Sequence, residues 1–347
     1  MRYMIKIQNI YYMLAYAFQA LTEDSYDKIA TEKFEYIGDL FAAILAKGIA
    51  NQIKRGLGRE YVSNTASLSA PVGKINVSAS VKRNTLLNKQ LVCEFDEFTE
   101  NSYLNQILKT TAMLLLHSPE VSLPQKKALR KVVLYFANVE EIDPRRVQWS
   151  HIKYHRNNGT YKMLVNICYL IITGMLLTEQ SGSRKLARYL DDQRMHSLYE
   201  KFVRQYYRKH YPQFHITAAH IEWDIDDGIL EFLPTMKSDI TIEYNGKILI
   251  IDTKYYARTM QTNGLYNSLT LHSHNIYQIF AYVKNMDSSH SGNVSGVLLY
   301  ANTDEEIVPD NDYMISGNHI SVKTLNLNTD FHAIQNQLSK LVANLLS

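Results

Sequence analysis

Ser238-Asp-Ile-Thr-Ile-Glu-Tyr-Asn-Gly-Lys-Ile-Leu-Ile-Ile-Asp-Thr-Lys254 reads as two strands joined by the Asn245-Gly246 dipeptide of a type I′ hairpin turn. A two-residue turn sets Tyr244 against Lys247, and counting outward from that pair brings Asp239 opposite Asp252 on one face of the sheet. Two carboxylates about 5 Å apart repel by on the order of 3 kcal/mol at an effective dielectric of about 20. One Asn would relieve that repulsion, whereas a bridging divalent cation turns it into binding. Lys254 follows Asp252 by two residues and so shares its face. An ammonium there can polarise a water or neutralise charge growing on a phosphoryl oxygen. Asp-x-Lys alone is a common solvated strand end. Its selectivity here comes from the opposed Asp, the apolar strand leading in and the helix that follows.

The helix before the hairpin carries Glu200 in Leu198-Tyr-Glu-Lys-Phe202, a third carboxylate or an exposed helical Glu. The helix after it, expected from about Asn275 to Lys284, places Gln278 and Tyr282 four residues apart on one face. That pair can hydrogen-bond a phosphate or orient the lysine, or be a half-buried Tyr beside a surface Gln. His272 and His274 precede this helix with no third metal ligand nearby and read as loop histidines. An all-oxygen site built on Asp239 and Asp252 that must also admit phosphate suits Mg²⁺. There is no phosphate-binding Gly-x-x-x-x-Gly-Lys loop, no Gly-x-Ser-x-Gly elbow and no His-Glu-x-x-His helix, so a P-loop NTPase, a serine hydrolase and a zincin are excluded as readings.

The remaining residues divide in two. Residues 1–190 hold 25 Lys and Arg against 16 Asp and Glu, hence +9, while residues 191–347 hold 12 against 18, hence −6. Such halves have separate jobs, and charge alone does not choose between nucleic-acid phosphates and an acidic protein surface for the basic one. We expect an α/β (α+β) chain with an N-terminal domain of mixed helices and strands over residues 1–180 and a second domain over 181–347, the polar stretch Glu179–Lys185 connecting them. Ile7–Leu21 reads as a buried helix anchoring the N-terminal core. Its Ala15-Tyr16-Ala17 resembles a signal-peptidase site, but Gln8, Asn9 and the tyrosine-rich run speak for a structural helix. From Val62 to Glu97 short strands and hairpins are expected, with Lys74, Lys82 and Arg83 on a projecting cationic hairpin. The apolar run Met163–Leu177 is too short to span a bilayer, so no membrane association is expected. Cys93 and Cys168, each in an apolar stretch, read as free thiols of a cytoplasmic protein.

At these residues the chain resembles the McrC family, the nuclease subunit of McrBC modification-dependent restriction systems. The resemblance runs over nearly the whole chain. Its pieces are Ile7-Gln-Asn-Ile-Tyr-Tyr-Met-Leu-Ala-Tyr-Ala17, Gly73-Lys-Ile, the Phe95-Asp96 to Asn105 stretch, Leu198–Phe202, Leu233–Ile242 and Ile250–Tyr256. It implies a PD-(D/E)xK restriction-endonuclease-like C-terminal domain with Asp239, Asp252 and Lys254 as its triad, Asp replacing the more usual Glu at 252. It likens Gln278 and Tyr282 to the Gln-x-x-x-Tyr motif of RecB-like nucleases. It implies an N-terminal docking domain, a McrB-type AAA+ GTPase hexamer as partner and double-stranded DNA with modified cytosine as substrate. The competing readings are a non-cleaving docking subunit that stimulates the GTPase, and a stand-alone repair endonuclease.

Overall fold

The computed structural model describes residues 5–18, 29, 32–154, 159–180, 192–255, 260–263, 268–301 and 308–346. Two compact units result, one of residues 36–186 and one of residues 1–35 with 187–347. The end of the expected first helix at 19–21, most of the expected connection at 181–185, and Tyr256 lie outside the described residues.

The unit of residues 36–186 gathers α2 (Ile37–Arg55), β1 (Glu60–Leu68), β2 (Lys74–Ile75), α3 (Val77–Lys82), β3 (Leu91–Thr99), α4 (Tyr103–His117), α5 (Leu123–Val133) and α6 (Gly159–Gln180). Its helical core buries Leu40, Phe41, Ile44, Leu108, Leu129 and Ile171. Asn105 ties the strands to that core, donating to the carbonyls of Gly58 and Glu100 while its Oδ1 accepts from the Tyr161 hydroxyl. The strands order β1-β3-β2. One expectation fails here. Lys82 ends a short helix and Arg83 caps it, whereas both were expected on a hairpin. Val-Ser-Ala-Ser-Val alternates like a strand, but the Asn76 side chain accepts the Ala79 N–H and starts a helix turn, which decides the local conformation. Lys74 does lie on a strand, opposite Glu94, and all three cations are exposed.

The other unit contains α1 (Ile7–Ala17), α7 (Asp192–His210), β4 (His215–Thr217), β5 (His220–Ile221), β6 (Met236–Lys237), β7 (Ile240–Tyr244), β8 (Lys247–Lys254), β9 (Met260–Asn263), β10 (Ser268–Leu271), α8 (Ser273–Met286), β11 (Val294–Ala301), β12 (Asn311–Ile315), β13 (Asn318–Leu325), α9 (Phe331–Leu341) and α10 (Ala343–Leu346). Here the position of the first helix overturns its expected place in the N-terminal core. Asn9, buried, donates to the carbonyls of Leu327 and Thr329, Lys6 pairs with Asp330, and Tyr12 stacks on Phe331 at 4.2 Å. A helix apolar on nearly every side needs cover all round, and the aromatic faces of α7 and α9 supply it.

Six strands run in the order β12-β13-β11-β8-β7-β4, with β11 parallel to both its neighbours and the remaining pairs antiparallel. β8 lies inside the sheet and is buried from Leu249 onward, which accounts for its unbroken Ile248-Leu-Ile-Ile251 run. Asn245 and Gly246 both hold positive φ, as a type I′ turn requires. α8 lies on the face of Ile250, Leu298, Tyr300, Ile320 and Val322, to which it contributes Ile279, Tyr282 and Val283. Gly296 of β11 permits that approach, because a Cβ there would stand 2.7 Å from Val283 Cγ2 and 2.8 Å from Ile279 Cγ1. Gly296→Ala is therefore expected to destabilise the chain by about 1–3 kcal/mol through overpacking, read as a lower urea midpoint at unchanged slope.

No helix among the described residues is long and apolar enough to cross a membrane.

Candidate metal and catalytic site

The hairpin register is the one computed from the turn, with Tyr244 opposite Lys247 and Ile240 opposite Ile251. The ladder stops there, one pair short of Asp239 and Asp252. Asp239 occupies a bend between β6 and β7, and its Oδ2 accepts hydrogen bonds from the Thr253 N–H at 2.8 Å and the Thr253 hydroxyl at 2.7 Å. The expected face-to-face pair is thereby corrected: two donors at the strand edge draw the Asp239 carboxylate towards Thr253 and partly compensate its charge. The bend itself is held by Ser238, whose N–H donates to the Ala219 carbonyl and whose Oγ meets Thr241 Oγ1 at 2.7 Å.

Asp252 is 2% exposed and Lys254 8%. Their Nζ and Oδ2 lie 2.7 Å apart as an ion pair. Apart from this ion pair, Asp252 Oδ2 is a buried acceptor with no hydrogen-bond partner. Burial holds the Asp252 carboxyl up to about 6; Lys254 pulls it down, and Asp239 and Glu200 push it up. Lys254 in turn donates to Gln278 Oε1 at 3.0 Å, and Gln278 Nε2 donates to the Tyr282 hydroxyl at 2.8 Å. Gln278 and Tyr282, one helical turn apart on α8, thus form a hydrogen-bonded chain that ends on the Lys254 ammonium.

Glu200 reaches the same place from α7. Burial raises its carboxyl, and Asp239 raises it further against the opposing pull of Arg204. Sequence reasoning missed His196, one turn before Glu200 on the same helix face. His196, Glu200 and Asp239 each offer a ligand atom within 4.8 Å of the others. His196 Nδ1 is itself a buried atom without a hydrogen-bond partner. The His-x-x-x-Glu spacing, which puts both side chains on one helix face, is the signal in the sequence that could have found it. His272 caps α8 and His274 lies in its first turn, so the second of these is not a loop residue.

These residues fit a divalent cation. Glu200, Asp239 and the His196 imidazole converge, the Asp252 carboxylate is close enough to feel both of those carboxylates, and one acidic oxygen and one ring nitrogen are buried without hydrogen-bond partners, with Lys254 and Arg204 as the opposing cations. A cation must displace the proton that burial keeps on Asp252. Its affinity is expected to fall about tenfold per pH unit below about pH 6 and to level off above it, a profile that Mn²⁺ calorimetry from about pH 5 to about pH 8 reads directly. Without cation the sign reverses. The folded carboxyl lies above its unfolded value, so the stability it confers is fully present below about pH 4 and is lost as pH rises through about 6.

The fold and site thus define a mixed α/β chain whose central strand ends in a carboxylate–lysine cluster suited to a cation. Residues 5–301 match the family described as McrBC 5-methylcytosine restriction system component, and the chain belongs to that family. It is 27% identical over 342 residues, covering 96% of both chains, to the Escherichia coli K12 protein described as type IV methyl-directed restriction enzyme EcoKMcrBC. Among solved structures it is similar, with a TM-score of 0.52 and 16% identity over 97% of this chain and 75% of the other, to a chain of a Thermococcus gammatolerans assembly of McrB AAA+ hexamers with bound McrC.

Proposed function

We propose that this chain is the DNA-cutting subunit of a restriction complex, a Mg²⁺-dependent PD-(D/E)xK endonuclease that hydrolyses phosphodiester bonds in DNA bearing modified cytosine while docked on a McrB-type AAA+ GTPase ring. The observation that carries the reading is the chain of contacts from Asp252 through Lys254 and Gln278 to Tyr282, set beside the converging Asp239, Glu200 and His196. Partner and substrate are brought in by the family and by the archaeal assembly.

In this reading Asp239, Asp252, Glu200 and His196 hold the ion, and the ion supplies a polarised water and a counter-charge for the phosphate. Gln278 aims the Lys254 ammonium at the scissile phosphate, where it neutralises charge growing on a phosphoryl oxygen, and Tyr282 fixes the amide of Gln278. The Asp239 carboxylate keeps its orientation because Thr253 donates to it twice.

The test is incubation of the purified chain with methylated and unmethylated DNA, with and without its GTPase partner and GTP. Methylation-dependent cutting only with partner and GTP supports the reading. Cutting by the chain alone points to a stand-alone endonuclease, and faster GTP hydrolysis without any cutting points to a docking subunit. Lys74, Lys82 and Arg83 belong to the docking part of the reading. Replacing Lys82 and Arg83 together by Ala is expected to slow the partner's GTP hydrolysis in the absence of DNA. An unaltered DNA-free rate with weaker, less salt-dependent DNA binding would reassign both to phosphate contacts.

A further inference from the structure

We infer that Arg204 is a positioning residue of the cation site, holding the Glu200 carboxylate and the Asp239 bend at the separation that lets both face one ion. The inference rests on the cation reading above. A single nitrogen makes the link: Arg204 Nη1 donates to Glu200 Oε1 at 2.9 Å and to the Asp239 main-chain carbonyl at 3.1 Å. An Nη group has two hydrogens, and these two acceptors match them. The guanidinium side chain is 17% exposed.

The geometry explains why an arginine stands here. His196, Glu200 and Arg204 follow one another at i, i+4 along a single face of α7, so the helix delivers two ligand-type side chains and then the group that ties them to a distant segment. Asp239 sits in a bend one residue beyond the β7–β8 ladder, and Arg204 supplies a donor to its carbonyl there. One turn further on, Arg208 donates through Nε and Nη2 to the carbonyl of Ile216 on β4, which pairs with β7. The two arginines staple α7 to the same edge of the sheet, but only Arg204 touches ligand-bearing residues. Arg208 is therefore the built-in control for a purely structural staple.

Arg204 has two opposed effects on a cation, and their sign separates the roles. As a positive charge beside Glu200 it competes with the ion, so its loss should tighten binding if charge were all it contributed. As the tie between Glu200 and Asp239 it preorganises the ligands, so its loss should weaken binding.

Full-length wild type, Arg204→Met, Arg204→Lys and Arg208→Met are titrated with Mn²⁺ by calorimetry, with the Mn²⁺-induced rise in Tm as a second readout. Arg204→Met is expected to bind Mn²⁺ about tenfold more weakly, Arg204→Lys to fall between it and wild type, and Arg208→Met to lose Tm without cation while keeping wild-type affinity. Equal or tighter binding by Arg204→Met, with wild type binding normally, overturns the positioning role and leaves the cation reading standing. If that variant does not fold, Arg204→Lys decides by the same rule, weaker binding supporting the role and equal or tighter binding overturning it. Failure of wild type itself to take up Mn²⁺ sinks the cation reading and the inference together.

Discussion

Asp252→Asn is expected to lower DNA cleavage by on the order of 10³-fold or more while leaving the chain, measured at about pH 8 without cation, within about 1 kcal/mol of wild-type stability. The two halves of the expectation have one cause. Asp252 is buried on a central strand, its carboxyl is held up to about 6 by that burial, and its Oδ2 has no hydrogen-bond partner. Ionising such a group at neutral pH costs stability, and the ion pair with Lys254 offsets the cost only in part. Asn removes the charge and the cost together, and with them the carboxylate that the proposed cation site uses. A cleavage assay over a Mg²⁺ series beside urea unfolding checks both. Wild-type cutting at saturating Mg²⁺ would remove Asp252 from the site, and a loss of several kcal/mol would show that the carboxylate is a structural element.

Lys254→Met is expected to lose cleavage to a similar degree but to keep cation binding, and that separates the lysine from the carboxylates. Its ammonium lies among the acidic groups without being a ligand, and Gln278 directs it. Charge stabilisation of a phosphoryl oxygen is worth several kcal/mol in a buried site. Removing it should therefore slow the chemical step and leave Mn²⁺ affinity unchanged or tighter, since a competing cation has gone. Mn²⁺ calorimetry and single-turnover cleavage on the same preparation decide the matter. Lost Mn²⁺ binding in this variant would contradict the role.

How much of the site was legible varied with distance along the chain. Asn245-Gly246 determined the turn, the turn determined the register from Tyr244–Lys247 to Ile240–Ile251, and the spacing of Gln278 and Tyr282 put them on one helix face. These are short-range relations, settled by turn chemistry and by the periods of strand and helix. The same rules overran where a side chain intervened: Thr253 ends the simple opposition of Asp239 and Asp252, and Asn76 turns an alternating stretch into a helix.

Legible from local sequence are therefore a hairpin that carries Asp252 and Lys254 with Asp239 just before its first strand, a helix that faces that lysine, and a basic and an acidic portion of the chain. Which distant elements complete it was settled by packing between them. α7 swings His196, Glu200 and Arg204 onto the Asp239 bend, and α1 leaves the segment it begins to pack within the unit of residues 187–347. Nothing local dictates either outcome. A helix pattern states which face must be buried, and the surface that buries it is chosen by packing across the whole unit, which also creates the low-dielectric setting that raises the Asp252 carboxyl.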